Sequence, residues 1–347
     1  MTVGAAAFEL PAALEAREPP EARGLARDEV RLLVATRSDG AIVHASFHDL
    51  PEFLEPGDLL VINNSATLPA AVPAARADGS VVELRFATPV PRTPAGELWV
   101  VELRSADGAA PLGAAGSGEC LTLPGGATAA IVAPYAGGAR LWLARVRAGE
   151  PVQEYLWRYG RPIRYAYVPA EWPLDAYQTA YALEPGSAEM PSAARPFTPE
   201  LVTRLVAGGV LIAPITLHAG VSSPERDETP HAERYAVPRS TARLVNAVEG
   251  WGGRVIAVGT TVVRALETVA TPEGVFAGEG WTNRVITPEH GPQAIDGLLT
   301  GWHEPEATHR ELLRAVAGDA LLAASYEAAL EHGYLWHEFG DSHLILP

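Results

Sequence analysis

Residues 252–267 read GGRVIAVGTTVVRALE, a pattern that indicates a strand, a tight turn and a helix. The short apolar run Val255–Val258 has the length and composition of a buried strand. After the Gly-Thr-Thr of residues 259–261, apolar side chains recur at helical spacing. The first N–H groups of a helix lack partners, so a threonine side chain or a bound anion can accept their hydrogen bonds. The turn is therefore either a self-capped junction or a polar notch at the carboxyl end of a strand, where open α/β sheets bind ligands.

The composition limits the class of protein. The chain has 347 residues, 48% of them hydrophobic, so it can form two domains or one large domain with an insertion. No apolar run reaches the length of a membrane span, and the N-terminus lacks the basic start of a secretory signal. The single cysteine, Cys120, excludes an intramolecular disulfide framework and a thiolate metal cluster. We therefore expect a cytoplasmic protein, a monomer, with no metal and no membrane contact.

The charged residues restrict the chemistry further. All 26 basic residues are arginine, which excludes a Schiff-base lysine and a Walker-type phosphate lysine. The net charge of −16 argues against broad non-specific binding of nucleic acid. Residues 140–164 are an exception, with six arginines against two glutamates, a local balance of +4. This segment is either a solvated surface or a track for phosphates.

The N-terminal part predicts the start of an α/β sheet. Apolar runs at residues 31–34 and 41–47 flank a Ser-Asp-Gly turn, which is the pattern of a β-hairpin. Residues 59–62 form a buried strand that ends in Asn63 and Asn64. Polar groups at a strand end suit a ligand, but asparagine is also an ordinary turn residue.

The middle of the chain has a different character. Short β-rich runs are separated by loops of Gly, Pro and Ala, and no helical period occurs between them. Five strands at this spacing indicate a small β-barrel or sandwich. The five runs are residues 81–86, 98–103, 120–123, 129–132 and 141–146.

Helices and strands alternate in the C-terminal half. Thr198-Pro199 is typical of a helix start, and Ser240 is predicted to cap a second helix. Further strands are predicted at residues 210–217, 294–300 and 343–346, and helices at 306–317 and 319–332. The fold class is therefore α/β, a large mixed-sheet α/β domain interrupted by a small inserted β-barrel domain. We assign residues 1–69 and 151–347 to the α/β domain and residues 70–150 to the barrel.

Several short blocks follow one another in the order of a known family. They are PGDLLVINN at residues 56–64, YQT at 177–179, FT at 197–198, AVGTT at 257–261, RALE at 264–267 and FGD at 339–341. On these blocks the chain resembles, from residue 8 to residue 345, the S-adenosylmethionine:tRNA ribosyltransferase-isomerases of queuosine biosynthesis. Each block alone is weak, and their shared order carries the resemblance.

The resemblance implies an unusual use of S-adenosylmethionine. Members of this family transfer and isomerise its ribosyl part onto the aminomethyl group of a 7-deazaguanine base in a tRNA anticodon. Adenine and methionine leave, and epoxyqueuosine remains. The implied fold is an α/β domain interrupted by a small β-barrel, with no metal and no prosthetic group, because S-adenosylmethionine is a substrate. The implied partners are S-adenosylmethionine and tRNA.

The reaction dictates what the site must hold. A base near the ribose 5′ carbon can remove a proton acidified by the sulfonium, and a proton donor helps adenine to leave. His218 and His303 are candidates for these roles because the histidine pKa lies near neutrality, although each could equally be a structural histidine. Asp341 could orient a histidine or a ribose hydroxyl, or merely fix the terminal turn. The candidates for substrate binding are Thr216, Gly259, Thr260, Thr261, Arg264, Tyr177, Gln178, Asn63 and Asn64, and those for tRNA binding are Arg140, Arg145, Arg158, Arg161 and Arg164.

Some family motifs are changed in this chain, and the changes fall in loops. The P-T-A-G-L-H-F-T motif is replaced at residues 191–198, so Pro196 stands where the family has histidine. A G-T-F motif is replaced from Ser222, and Glu306 stands where the family has lysine. These changes leave open a divergent queuosine enzyme, a paralogue with a different, non-tRNA acceptor, or an inactive binding protein of the same fold. The acceptor is therefore not fixed by the sequence.

Overall fold

The computed structural model describes residues 10–93, 96–112, 115–136, 140–221, 231–303 and 309–347. The strands are β1 (Arg31–Thr36), β2 (Ile42–Ser46), β3 (Leu59–Asn63), β4 (Ser65–Thr67), β5 (Ala71–Ala75), β6 (Val81–Thr93), β7 (Gly96–Ser105), β8 (Cys120–Thr122), β9 (Thr128–Pro134), β10 (Leu141–Arg147), β11 (Glu184–Ser187), β12 (Leu211–Leu217), β13 (Glu233–Val237), β14 (Val255–Val258), β15 (Ala270–Thr271), β16 (Gly274–Val275), β17 (Gly278–Thr282), β18 (Gly297–Gly301) and β19 (Ser342–Leu346). The α-helices in these ranges are α1 (Val152–Tyr159), α2 (Pro199–Ala207), α3 (Arg239–Val248), α4 (Thr260–Val269), α5 (His309–Ala317) and α6 (Asp319–Glu331).

A nine-stranded sheet forms the larger part of the molecule, with its strands in the order β17, β13, β12, β3, β14, β18, β19, β1 and β2. The four central strands from β12 to β18 run parallel to one another. Antiparallel pairs lie on both sides, β12 with β13 and β18 with β19. This mixed sheet, together with a separate barrel, confirms the predicted fold class.

Both faces of the central strands are buried, as the parallel arrangement requires. All five residues of β3 are buried, and their side chains alternate between two cores. Leu59 and Val61 belong to the core under α3, α4, α5 and α6. Leu60 and Ile62 belong to the core under α2, which includes Phe197. Residues 59–62 are therefore all apolar because both faces of β3 are buried.

The barrel is closed and has six strands, in the order β10, β7, β6, β5, β8 and β9. All six come from one continuous stretch, residues 71–147. The sequence indicated five of them and missed β5, because its Ala-Val-Pro-Ala-Ala composition has one β-branched residue, no aromatic residue and a proline. The domain limits at residues 70 and 150 stay a prediction.

Two predicted helix starts have different outcomes. The hydroxyl of Thr198 accepts a hydrogen bond from the N–H of Leu201, and α2 begins at Pro199, as predicted. The prediction that Ser240 caps α3 is wrong. That helix already begins at Arg239, after Pro238, and no side chain caps it.

Candidate active site

A cavity of about 360 Å³ lies where the carboxyl ends of β14 and β18 face the barrel. The sheet contributes the turn at residues 259–261 and the segment 300–303. The barrel contributes apolar side chains, among them Val100 and Leu141. The cavity therefore lies at the strand ends where α/β sheets bind ligands, with the barrel covering it.

The opening stretch of the sequence forms one edge of this cavity. Gly259 has a φ of 99°, a left-handed conformation that favours glycine, and α4 begins immediately after it. No side chain caps α4, so the self-capped interpretation is wrong. The hydroxyl of Thr261 instead accepts a hydrogen bond from the amide of Asn63, at 3.3 Å. The N-terminus of α4 thus faces the cavity without a side-chain cap, an arrangement that suits an anion.

His303 is the predicted histidine that lines the cavity. Its Nε2 lies 3.1 Å from the hydroxyl of Thr300, a buried residue at the end of β18. Its backbone carbonyl accepts a hydrogen bond from Tyr326 at 3.4 Å. The contact with Thr300, at the end of β18, therefore orients the imidazole ring of His303 beside the cavity.

His218 does not line the cavity and has a structural environment. Its Nδ1 lies 2.8 Å from the hydroxyl of Ser65, which in turn lies 2.6 Å from the hydroxyl of Ser187. Burial lowers the pKa of His218 to about 4. The ring packs so closely on Gly186 that a Cβ there would lie 2.4 Å from Nδ1. The structure thus separates the two histidines that the sequence treated alike.

Three predicted substrate-binding residues lie outside the cavity and hold the strand ends together. The side chain of Asn63 donates to the carbonyl of Leu217 and accepts from its N–H, at 2.8 and 3.0 Å. The hydroxyl of Thr216 donates to the side chain of Asn64 at 2.7 Å. These bonds position β3 against β12, so the residues act on the cavity through the strands they join.

The YQT block is divided between the cavity and its support. Tyr177 lines the cavity. Gln178 does not, because its side-chain amide forms two hydrogen bonds with the backbone of Thr67, at 2.9 and 2.8 Å. Arg264 lines the cavity as well, but its guanidinium forms an ion pair with Glu233.

Asp341 is buried away from the cavity and fixes the terminal turn. Its carboxylate forms an ion pair with Arg31 at 2.9 Å. It also accepts hydrogen bonds from the backbone N–H groups of Arg31 and Leu335, at 2.8 and 2.7 Å. The catalytic assignment of Asp341 is therefore corrected to a structural one, because its oxygens are already occupied by partners in the protein.

Five further residues that line the cavity were not predicted from the sequence. We call this group the acidic–aromatic wall, and it consists of Tyr165, Tyr167, Glu189, His337 and Glu338. The hydroxyl of Tyr165 donates to Glu189, and that of Tyr167 donates to Glu338. The rings of Tyr165 and Tyr167 stack with centroids 5.8 Å apart, and His337 stacks on Tyr167 at 4.0 Å. Three parallel rings and two carboxylates thus line one side of the cavity.

Burial shifts the pKa values in this wall. It raises the pKa of Glu338 to about 7, and the carboxylate of Glu189 acts in the same direction. It lowers the pKa of His337 to about 4. His337 also has a φ of 73°, an uncommon conformation for a residue with a side chain. The wall therefore contains a carboxyl group that can exchange a proton near neutral pH.

The described residues contain no group of three or more His, Cys, Asp or Glu side chains that could hold a metal ion. No helix within the same ranges has both the length and the apolar character needed to cross a bilayer.

Comparison with known proteins decides the family. The model of the family described as queuosine biosynthesis protein matches residues 4–345. The chain belongs to this family. Among its relatives, the S-adenosylmethionine:tRNA ribosyltransferase-isomerase of Moorella thermoacetica is 38% identical over 98% of both chains. The protein of the same name from Thermus thermophilus is 38% identical over 92% of this chain and 93% of its own.

A solved structure extends the similarity to three dimensions. The S-adenosylmethionine tRNA ribosyltransferase of Thermotoga maritima superposes with a TM-score of 0.55 at 29% identity. The alignment covers 98% of this chain and 99% of that one. The family predicted from the ordered sequence blocks is thus confirmed.

The changed motifs of this family member have different structural settings. Pro196 is buried and does not line the cavity. The preceding Arg195 is also buried and forms an ion pair with Glu21 at 2.9 Å. Ser222 and Glu306 lie outside the described residues.

The arginines predicted to bind tRNA do not form one exposed strip in this family member. Arg140 is buried in the barrel, 2.9 Å from the carboxylate of Glu102, so its side chain cannot meet a phosphate on the surface. Its assignment is corrected to a structural ion pair. Arg145, on β10, is half-buried.

The other three predicted arginines differ in exposure. Arg158 is 64% exposed, and its ion pair with Glu150 is at 3.1 Å. Arg161 forms ion pairs with Glu83 and Glu171, at 2.7 and 3.0 Å. Arg164 donates to the carbonyls of two residues in its own loop. Arg158 is thus the most exposed of these three.

Proposed function

We propose that this chain catalyses the S-adenosylmethionine:tRNA ribosyltransferase-isomerase reaction. In this reaction the ribosyl part of S-adenosylmethionine is transferred to the aminomethyl group of a 7-deazaguanine base in tRNA and isomerised. Epoxyqueuosine forms, and adenine and methionine are released. The names of the full-length relatives support this activity. S-adenosylmethionine acts as a substrate, and no prosthetic group takes part.

The observation that carries the proposal is the cavity at the ends of β14 and β18. The N-terminus of α4, with no side-chain cap, can bind the carboxylate of the methionine part. Gly259 allows close approach there, because it has no Cβ and adopts a positive φ. We assign this edge of the cavity, residues 259–261, to S-adenosylmethionine.

His303 is the candidate for acid–base catalysis. It lies on the segment that follows β18 and lines the same cavity as residues 259–261. A histidine in this place can remove the proton from the ribose 5′ carbon or donate one to the departing adenine. The contact of its Nε2 with the hydroxyl of Thr300, at 3.1 Å, orients the ring at the cavity.

A second candidate function is ribosyl transfer from S-adenosylmethionine to an acceptor other than tRNA. Two observations favour it. Pro196 replaces the histidine of the family motif, and Arg140 is not available to a phosphate backbone. The donor site is the same in both functions, and the acceptor differs.

Release of adenine from S-adenosylmethionine tests both functions. Purified protein is incubated with S-adenosylmethionine alone, with tRNA that carries the precursor base, and with tRNA that lacks it, and adenine is measured by chromatography. We expect release only with the precursor tRNA. Release that does not depend on tRNA would support the second function. Absence of release with any acceptor would leave a binding protein of the same fold.

A further inference from the structure

The acidic–aromatic wall has no role in the donor site described above. Its five residues come from three distant segments of the chain, and the cavity brings them together. Tyr165 and Tyr167 follow α1, Glu189 follows β11, and the remaining two precede β19. The wall lines the same cavity as the N-terminus of α4 but shares no residue with it. The cavity can therefore hold a second ligand beside S-adenosylmethionine.

The stacked rings favour a flat aromatic ligand. Tyr165 and Tyr167 are inclined by only 13°, and so are Tyr167 and His337. The rings therefore form a continued stack, and a heteroaromatic base can add to it or lie along its edge. Every base has such a face, so the stack selects for shape and the polar groups beside it select for identity.

The carboxylates favour a cation. Glu338 accepts a hydrogen bond from Tyr167, and the arginine whose charge acts on it, Arg195, forms its ion pair with Glu21. Tyr165 binds Glu189 in the same way, so the two carboxylates stand beside adjacent members of one ring stack. Two acids so placed repel each other, and the arginine over the ring of Tyr165, Arg85 at 5.3 Å, forms its ion pair with Glu83.

We propose that the acidic–aromatic wall is the acceptor subsite, which binds a primary ammonium group carried on a flat heteroaromatic base. The ammonium group lies at the carboxylates of Glu189 and Glu338, and the base lies against the rings of Tyr165, Tyr167 and His337. This proposal rests on the proposed function, since an aminomethyl-deazaguanine combines those two features. The source of the base, a nucleotide of tRNA or the free base, does not alter the chemistry of the subsite.

The subsite also provides the proton acceptor that the transfer needs. A protonated amine has no lone pair, so it must lose a proton before it can attack the ribosyl carbon. The N–H bond breaks, its electron pair remains on nitrogen for the new C–N bond, and the proton passes to a carboxylate oxygen of Glu338. At the ribosyl part, the carbon–sulfur bond to methionine and the carbon–nitrogen bond to adenine break over the whole reaction, and each released group keeps the electron pair. A carboxyl group whose pKa is about 7 accepts and returns protons at neutral pH. The hydroxyl of Tyr167 holds the carboxyl group in place through both states.

S-adenosylmethionine is a poorer match for this wall. Its ammonium group takes no part in bond formation, so it needs a counter-ion and not a proton acceptor. Its carboxylate is repelled by Glu189 and Glu338 and matched by the N-terminus of α4. The donor and the acceptor are therefore expected to depend on different residues of the same cavity.

The decisive variant is Glu338→Gln, which keeps the size and hydrogen-bonding shape of the side chain and removes its charge. Tyr167→Phe is the second variant and removes only the hydroxyl that holds Glu338. Glu184→Gln is the matched control, since this glutamate is exposed and does not line the cavity. Thermal melts establish that each variant is folded.

We expect Glu338→Gln to lower kcat/KM for the acceptor by about 10²-fold or more, the usual contribution of a general base. The Kd for S-adenosylmethionine, measured by calorimetry, is expected to stay within about twofold of wild type. The acid limb of the wild-type pH–rate profile, near pH 7, is expected to disappear in the variant. Glu184→Gln should behave as wild type in all three measurements.

Weaker binding of S-adenosylmethionine with unchanged use of the acceptor would overturn the proposal and assign the wall to the donor. The assay is run with precursor tRNA and with free 7-aminomethyl-7-deazaguanine, and loss of activity in the variant with either source supports the subsite.

If wild-type protein releases no adenine with either acceptor, the proposed function fails and the subsite is tested by binding alone. Calorimetry with the free base then decides, because binding that Glu338→Gln abolishes supports the subsite. Absence of binding to the wild type, or equal binding to the variant, overturns it.

Discussion

The two sides of the cavity are built in different ways. The donor side consists of turns that directly follow strands of one sheet, so each of its residues belongs to a short local motif such as residues 259–261. The acidic–aromatic wall consists of single side chains from three segments, and its Tyr167–Glu338 bond joins residues 171 positions apart. Local motifs indicate where a strand ends and a ligand can bind. Contacts between distant segments decide which ligand fits.

The sharpest test of this contrast compares the two predicted histidines. We expect His303→Ala to lower kcat by about 10²–10⁴-fold, because the residue lines the cavity and acts as an acid or base. His218→Ala should lower the free energy of unfolding with a much smaller effect on kcat, because its ring bonds to Ser65 inside the protein. Single-turnover kinetics on both folded variants measure the difference. Equal losses of rate would place both residues in the mechanism.

Asp341 tests whether the terminal turn supports the cavity or takes part in the chemistry. Asp341→Ala leaves two backbone N–H groups without their acceptor and breaks the ion pair with Arg31. We expect the free energy of unfolding to fall by about 2–5 kcal/mol, measured by urea denaturation. The folded fraction should keep its kcat within a few-fold. A rate loss of about 10²-fold or more in protein of unchanged stability would restore the catalytic assignment.

His343 gives a smaller effect of opposite sign. It is buried and stacked on Trp302 at 4.7 Å, and neither ring nitrogen has a hydrogen-bond partner within the described ranges. An unsatisfied buried polar group costs about 1–3 kcal/mol, so His343→Met, which fills the site with an apolar side chain, should stabilise the protein by about that amount. Urea denaturation at neutral pH measures the gain. A loss of stability would mean that the ring has a partner.

The same variant has a defined pH dependence. Burial lowers the pKa of His343 to about 3, against about 6.5 in an unfolded chain. Below pH 6.5 the unfolded chain therefore takes up a proton that the folded protein does not, and stability falls as the pH decreases toward the folded pKa. His343→Met should make the loss of stability between pH 6.5 and pH 4 shallower. His218, with a pKa of about 4, should continue to contribute a loss of the same sign.

The smallest expected effect concerns the outer surface. Among the arginines predicted to contact tRNA, Arg158 has an exposed side chain, with 64% of its surface accessible. Arg158→Ala should lower the slope of log K against log salt concentration for tRNA binding by about one. Arg243→Ala, which removes an exposed arginine of α3, is the control and should leave the slope unchanged. A slope that Arg158→Ala does not change would make this arginine an ordinary solvated residue.

Much of the large sheet could be predicted from the sequence, because strands buried on both faces give continuous apolar runs such as Val255–Val258. The last two strands at one end of the sheet, β13 and the edge strand β17, were missed. Their sequences, Glu-Arg-Tyr-Ala-Val and Gly-Glu-Gly-Trp-Thr, mix charge and glycine with apolar residues, because neither strand is buried throughout. The hairpin of β1 and β2 was recognised from its turn, and the two strands pair as an antiparallel hairpin.

The candidate site was less predictable than the fold. The turn at residues 259–261 could be recognised because a local change from strand to helix marks it. Nothing local distinguishes Glu189 or Glu338 from a solvated glutamate, and Tyr165 lies just past the arginine-rich residues 140–164, which were interpreted only by their charge. Asn63 and Asp341 were predicted to be functional, but their side chains bind other parts of the protein. Asn63 is the last residue of β3, and Asp341 directly precedes β19. Sequence position showed that these groups are near a strand end but not what their oxygens contact.

The pairing of β1 with β19 has a consequence for how the chain reaches its native state. Leu32 lies beside Ser342, so this pair of strands can form only after the chain has closed a loop of about three hundred residues. The barrel needs no such closure, because its strands all lie within residues 71–147. Folding slows as the sequence separation of contacts increases, so we expect the barrel to close first and β1 to join the sheet late. In pulsed hydrogen exchange during refolding, amides of the barrel should therefore become protected before those of β1 and β19.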